Sequence, residues 1–164
     1  MELIFMRHGK AEDASLRPAD FDRELTEEGQ IRTQAAAVGL RQCLAGQKPR
    51  IWCSPLVRTR QTAEIVAEVL GEVTIELKDD IPSGQFNRLA RAWSVLDEDA
   101  CLLIVGHEPH LSHWIARMSG VVLPMKPASM AGLIMESRKP LEGKLRWFAH
   151  PDVLGRAGAS TPML

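Results

Sequence analysis

Glu2-Leu3-Ile4-Phe5-Met6-Arg7-His8-Gly9 decides how the rest of this chain is read. Glu2 to Met6 has the character of a short buried strand, and it stops abruptly at an arginine, a histidine and a glycine. Such a strand delivers an imidazole to a loop. Arg7 offers a planar fork of donors suited to phosphate or carboxylate oxygens, His8 is a candidate nucleophile, and Gly9 lets backbone N–H groups turn close to a bound anion. Taken alone, the tripeptide reads as a surface turn that happens to contain histidine.

Downstream the same pattern returns. Cys101-Leu102-Leu103-Ile104-Val105 is a continuous apolar run suited to the centre of a parallel sheet, and it ends in Gly106-His107-Glu108-Pro109 before a helix over 110–118. Arg50 to Cys53 is another strand. Ser54-Pro55 then reads as a helix N-cap followed by proline at the first helical position, placing Arg58 near the N-terminus of a helix that runs to Leu70. Two strands thus end in histidines and a third leads to an arginine; in doubly wound sheets such ends share one side, where ligands bind.

The remaining elements fill in a three-layer α/β/α fold with a mostly parallel central sheet and an antiparallel C-terminal hairpin at its edge. Lys10 to Arg23 is a loop broken by Pro18. Thr26 caps a helix with Glu27 and Glu28 in its first turn, running through Ile31 to Leu44 and ending at Gly46. Gly29 inside it costs roughly 1 kcal/mol relative to alanine, for which a close backbone approach is a reason. Val73 to Leu77 is an edge strand, Lys78 to Asn87 a loop, and Phe86 to Leu96 a short helix. Ala128 to Glu136 and Lys144 to His150 form the hairpin, turning at Pro140-Leu141-Glu142-Gly143. Residues 1–150 make one domain, and 151–164, rich in Gly, Ala, Ser and Pro, read as a frayed tail.

Composition narrows the function classes. With 164 residues, 45% hydrophobic and 25% charged, the chain has average globular usage and enough length for one core. A net charge of -1 gives no bulk attraction to nucleic acid or an acidic membrane, so anion binding is a matter of local chemistry. Cys43, Cys53 and Cys101 are an odd count without close spacing, and the last two lie in apolar runs. Buried reduced thiols, no signal-like leader and no membrane-length run point to a cytoplasmic protein.

Met6-Arg7-His8-Gly9, Leu25-Thr26 with Gly29, Ser54-Pro55-x-x-Arg58-x-x-Gln61-Thr62-Ala63 and Gly106-His107-Glu108-Pro109 together resemble the histidine phosphatase superfamily, which is phosphoglycerate-mutase-like. Only residues 59–106 separate Arg58 from His107, leaving little room for the substrate-covering segment of larger branches, and the chain looks most like the SixA-type phosphohistidine phosphatases. The resemblance implies a metal-independent phosphatase without cofactor, acting through a covalent phosphohistidine. His8 is the implied nucleophile. Arg7, Gly9, Arg58 and His107 are the implied ligands of the phosphoryl group. The implied partner is a phosphorylated protein of phosphorelay type; a small phosphomonoester is the alternative substrate, and a non-catalytic phosphate-binding module the alternative class. No nucleic acid or membrane partner is implied, and the oligomeric state stays open.

The proton donor to the leaving group is less defined. Asp80, four residues before Gly84 in the loop after the third strand, occupies the family's place for it, with Asp79, Asp20 and Asp22 as rivals. A departing imidazole leaves more readily than an alkoxide, so a weakly placed acid suffices for phosphohistidine. Other residues have plainer readings. Ser54 caps its helix, Arg60 is solvated, Lys10 reads as a solvated loop lysine with a place on the phosphate-binding rim as the alternative, and Arg17 and Arg23 fit either role. His107, His110 and His113 lack the carboxylate or thiolate that would complete a metal site, and the four tryptophans are core or interface anchors.

Overall fold

The computed structural model describes residues 1–138 and 141–159. Six strands form one sheet: β1 (Glu2–Arg7), β2 (Arg50–Cys53), β3 (Ile75–Leu77), β4 (Cys101–Gly106), β5 (Met130–Arg138) and β6 (Leu141–Ala149). Their order across the sheet is β3-β2-β4-β1-β5-β6, with β3, β2, β4 and β1 parallel and β5 and β6 antiparallel. Among the described residues five α-helices cover it: α1 (Glu27–Cys43), α2 (Val57–Leu70), α3 (Phe86–Trp93), α4 (His110–Ser119) and α5 (Pro151–Ala159). The expected three-layer fold is the observed one.

Alternation along the central strands assigns the layers. Leu3, Phe5, Leu102 and Ile104 pack with Phe86, Leu89, Trp93, Leu111 and Trp114 of α3 and α4. Ile4, Met6, Leu103 and Val105 face Ala36, Ala37 and Leu40 of α1, Ala63 and Val66 of α2, and Leu154 of α5. Both faces of β1 and β4 are therefore covered, which is why these strands read as unbroken apolar runs. Trp52, Trp93 and Trp114 are core residues, and Cys53 and Cys101 are buried free thiols. No helix among the described residues is long and apolar enough to cross a membrane.

Besides α3, which stops at Trp93 rather than Leu96, and β3, which begins at Ile75 rather than Val73, three boundaries differ from the sequence reading for a visible reason. Ser54 does not cap α2: its Oγ accepts from Leu56 N–H at 3.3 Å and its carbonyl from the Thr59 hydroxyl at 2.9 Å. The turn is two residues longer, and Leu56, still extended, precedes the helix. The hairpin strands reach further, so Leu141 to Gly143 lie in β6 rather than in the turn; register shifts between Gly132 and Leu133 and between Met135 and Ser137 break the alternation that would have shown it. Pro140 of that turn lies outside the described residues.

The third correction is the tail. Pro151 to Ala159 form α5, packed on α1, while the last five residues lie outside the described part. Its glycines serve contact. A Cβ on Gly39 of α1 would stand 2.2 Å from the Leu154 carbonyl oxygen, and one on Gly158 would stand 2.8 Å from Val38 Cγ1. Small residues that read as a sign of fraying instead let two helices approach closely.

Candidate active site

β1 and β4 are neighbours in register, Arg7 opposite Gly106, so the residues that follow them emerge side by side. His8 N–H extends the ladder by donating to the Gly106 carbonyl at 3.0 Å. The two imidazoles lie with ring centroids 5.4 Å apart, and both residues are buried. β2 ends level with them, Cys53 opposite Val105, and the turn after it brings in Arg58, also buried.

His8 has one determined tautomer. Its Nδ1 lies 2.7 Å from the Gly9 carbonyl oxygen, which can only accept, so Nδ1 carries the proton and Nε2 keeps its lone pair. That lone pair faces Arg58, whose Nε donates to it at 3.3 Å. Burial, opposed by the Gly9 bond and reinforced by the positive charges of Arg58, Arg7 and Arg23, lowers the His8 pKa to about 4. At neutral pH the imidazole is uncharged.

His107 is likewise uncharged at neutral pH, its pKa lowered to about 3 by burial first and by His8, Arg58 and His110 after it. Among the described residues neither of its ring nitrogens has a hydrogen-bond partner, and neither does Arg7 Nε. Unpaired buried polar groups are costly, and two such donors, the Arg7 Nε–H and the one N–H of the neutral His107 ring, mark a place built to receive an acceptor. Arg7 is anchored through Nη1 to the Met125 carbonyl at 2.8 Å.

The surrounding residues hold this cluster in place. Gly9 N–H donates to Thr62 Oγ1 at 3.1 Å, and the Thr62 hydroxyl donates to the Arg58 carbonyl at 2.7 Å, so one hydroxyl ties the His8 loop to α2. Gly29 is explained by close approach. A Cβ there would lie 2.1 Å from the Lys10 carbonyl oxygen, which means that the first turn of α1 seats the loop following His8. Gln61 accepts from Leu25 N–H at 2.7 Å on the same side.

The carboxylate bonded to the cluster is Asp20, not Asp80. Arg58 donates through Nη1 to the Asp20 carbonyl at 2.7 Å and through Nη2 to its Oδ2 at 2.9 Å, while Arg23 reaches Oδ1 at 2.9 Å. Those bonds keep the Asp20 pKa below the ordinary carboxylate value, with Arg23 contributing most. Asp80 is instead paired with Arg88 at 3.2 Å. Asp20 was one of several rivals in sequence, and Arg23 had no assigned role. Both lie in the irregular stretch between β1 and α1, where two single 3₁₀ turns carry no periodic signal. Arg60 is exposed near Glu64, as its solvated reading implied. Among the described residues no three His, Cys, Asp or Glu side chains assemble as metal ligands.

Comparison with known proteins agrees with this geometry. A curated relative, an uncharacterized protein of Picosynechococcus, is 39% identical over 160 residues, covering 93% of this chain and 92% of its own. The solved structure of the protein histidine phosphatase SixA complexed with tungstate superposes with a TM-score of 0.81 at 25% identity, over 94% of this chain and 99% of that one. A protein from Agrobacterium tumefaciens assigned as phosphohistidine phosphatase SixA has the same fold, with a TM-score of 0.76 at 23% identity and coverage of 92% and 97%. Residues 3–90 match the family model of the histidine phosphatase superfamily, branch 1. With a buried pair of strand-end imidazoles, two arginines and that match in agreement, the chain belongs to the histidine phosphatase superfamily and is a phosphatase.

Proposed function

We propose that the protein removes the phosphoryl group from phosphohistidine in a protein substrate through a covalent intermediate on His8. The observation that carries this is the His8 tautomer: a neutral imidazole with its Nε2 lone pair turned toward Arg58 and with unpaired donors of Arg7 and His107 nearby. His8 Nε2 attacks phosphorus in line, forming a new P–N bond as the bond to the substrate imidazole breaks, and the substrate ring, protonated on its other nitrogen, leaves as neutral imidazole. Arg7 and Arg58 hold the equatorial oxygens, and His107 donates an N–H to the same group. Water then attacks the phosphorus, the bond to Nε2 breaks, and orthophosphate leaves.

The carboxylates support phosphohistidine over an alkyl ester. Asp20 is held ionised by two arginines, and Asp80 is paired with Arg88, so neither resembles a neutral acid poised to protonate an alkoxide. A substrate imidazole needs less help. The likeness to SixA along nearly the whole chain, and the short interval between Arg58 and His107, support an open site that a protein surface can approach.

Turnover of a phosphohistidine protein should exceed that of a panel of sugar and other metabolite phosphates, and acid-labile label should be trapped on the enzyme. His8→Ala should abolish both while retaining part of the phosphate binding. A strong preference for a metabolite phosphate would replace the protein substrate, and trapped label that persists in His8→Ala would remove His8 as nucleophile.

A further inference from the structure

Beside the His8 cluster, on the α1 and α5 side of the sheet, lies a second cavity lined by basic side chains. It measures about 160 Å³ and is lined by Lys10, Arg32, Lys126, Pro127, Ala128 and His150. Its wall is continuous with the nucleophile segment. Ala128 N–H lies 3.0 Å from the Arg7 carbonyl and 3.1 Å from that of His8, and Lys10 follows His8 by two positions. His150 is brought there by the sheet, since Met130 pairs with Met6 on one side and with Ala149 on the other.

The charges do not cancel. Lys10 pairs with Glu28, Arg32 with Glu28 and Asp152, and His150 with Asp152. Two carboxylates thus serve the permanent cations Lys10 and Arg32, and Lys126 has no ion-pair partner among the described residues. The paired groups are roughly half-exposed, where such contacts are weak and easily rearranged around an incoming anion. The volume is well below the about 300–1,000 Å³ that encloses a whole ligand, and it suits a single carboxylate or phosphate group.

We propose that this cavity is a second anion subsite, taking a carboxylate or phosphate that the substrate carries beside the phosphoryl group presented to His8. The proposal rests on the phosphatase reading of the His8 cluster. On a phosphohistidine protein the occupant is an Asp or Glu side chain close to the modified histidine. Lys126 is its main contact, acting on substrate binding and not on bond making, so it alters KM and leaves kcat unchanged.

Calorimetry tests the subsite without turnover, using alkylphosphonates and matched ω-carboxyalkylphosphonates of increasing chain length. At the length that spans the two sites the carboxylate should tighten Kd about five- to tenfold, the range of a partly exposed charge-assisted contact. Lys126→Gln should erase the gain, Arg32→Gln should reduce it, and both should leave the alkylphosphonates unaffected. No gain at any length, or a gain that survives in both variants, overturns the proposal. Kinetics on phosphohistidine peptides with Asp or Asn beside the histidine then address the substrate. Lower KM for the Asp peptide, lost in Lys126→Gln, assigns the subsite to a protein side chain. If neither peptide is turned over while metabolite phosphates are, the phosphohistidine reading alone fails and the calorimetric result stands.

Discussion

Acidification should destabilise the free protein well before its carboxylates are affected. In the folded chain the His8 and His107 pKa values lie at about 4 and about 3, against about 6.5 in the unfolded chain. The folded values are depressed, so stability is complete above pH 6.5 and is lost as the pH falls from there toward the folded values. At pH 5 the unfolded imidazoles are largely protonated and the folded ones are not, costing about 2 kcal/mol for each and at most about 4 together, because the two histidines share part of their shift. The lowered carboxylates, among them Glu12, Asp20 and Glu28, lose their contribution only below their unfolded values near pH 4. Urea unfolding in phosphate-free buffer between pH 8 and pH 5 therefore isolates the imidazoles. His107→Asn should remove about half of the slope and the double variant with His8→Asn nearly all of it. A wild-type curve that stays flat, or a slope unchanged in the double variant, refutes the claim that both rings are buried and neutral.

Gly29→Ala should destabilise by about 1–3 kcal/mol despite the better helix propensity of alanine, because its methyl group meets the Lys10 carbonyl; thermal unfolding showing a stabilised variant would refute the close contact. Asp20→Ala should strengthen competitive inhibition by orthophosphate several-fold, since the anion no longer competes with a carboxylate for Arg58; weaker inhibition would show that Asp20 helps to bind it. Asp80→Asn should leave phosphohistidine hydrolysis within about twofold, the scale of a partly exposed ion pair, and a tenfold loss would return Asp80 to the leaving group.

Local chemistry made much of the site legible. The apolar runs ending at Arg7-His8 and Gly106-His107 announced two central strands, and Thr26 accepts from Gly29 N–H as an N-cap should. What escaped depended on partners far away in sequence. Asp20 meets Arg58 across an irregular loop, and Lys126 and His150 come to line one cavity with Lys10 only through the order of strands in the sheet. Gly155 and Gly158 lie in the stretch read as a frayed tail because composition cannot distinguish a glycine that frees the backbone from one that makes room for Ala35 or Val38.

The close seating of α5 on α1 bears on how the chain can be shortened. A version ending where the sheet ends, after Ala149, would leave water against a flank of α1 chosen for smallness, around Ala35 and Gly39, and would empty the berth of Leu154. The opposite end of that same helix supports the loop that presents the nucleophile. Trimming the last helix would thus loosen the beam on which the reactive histidine is mounted.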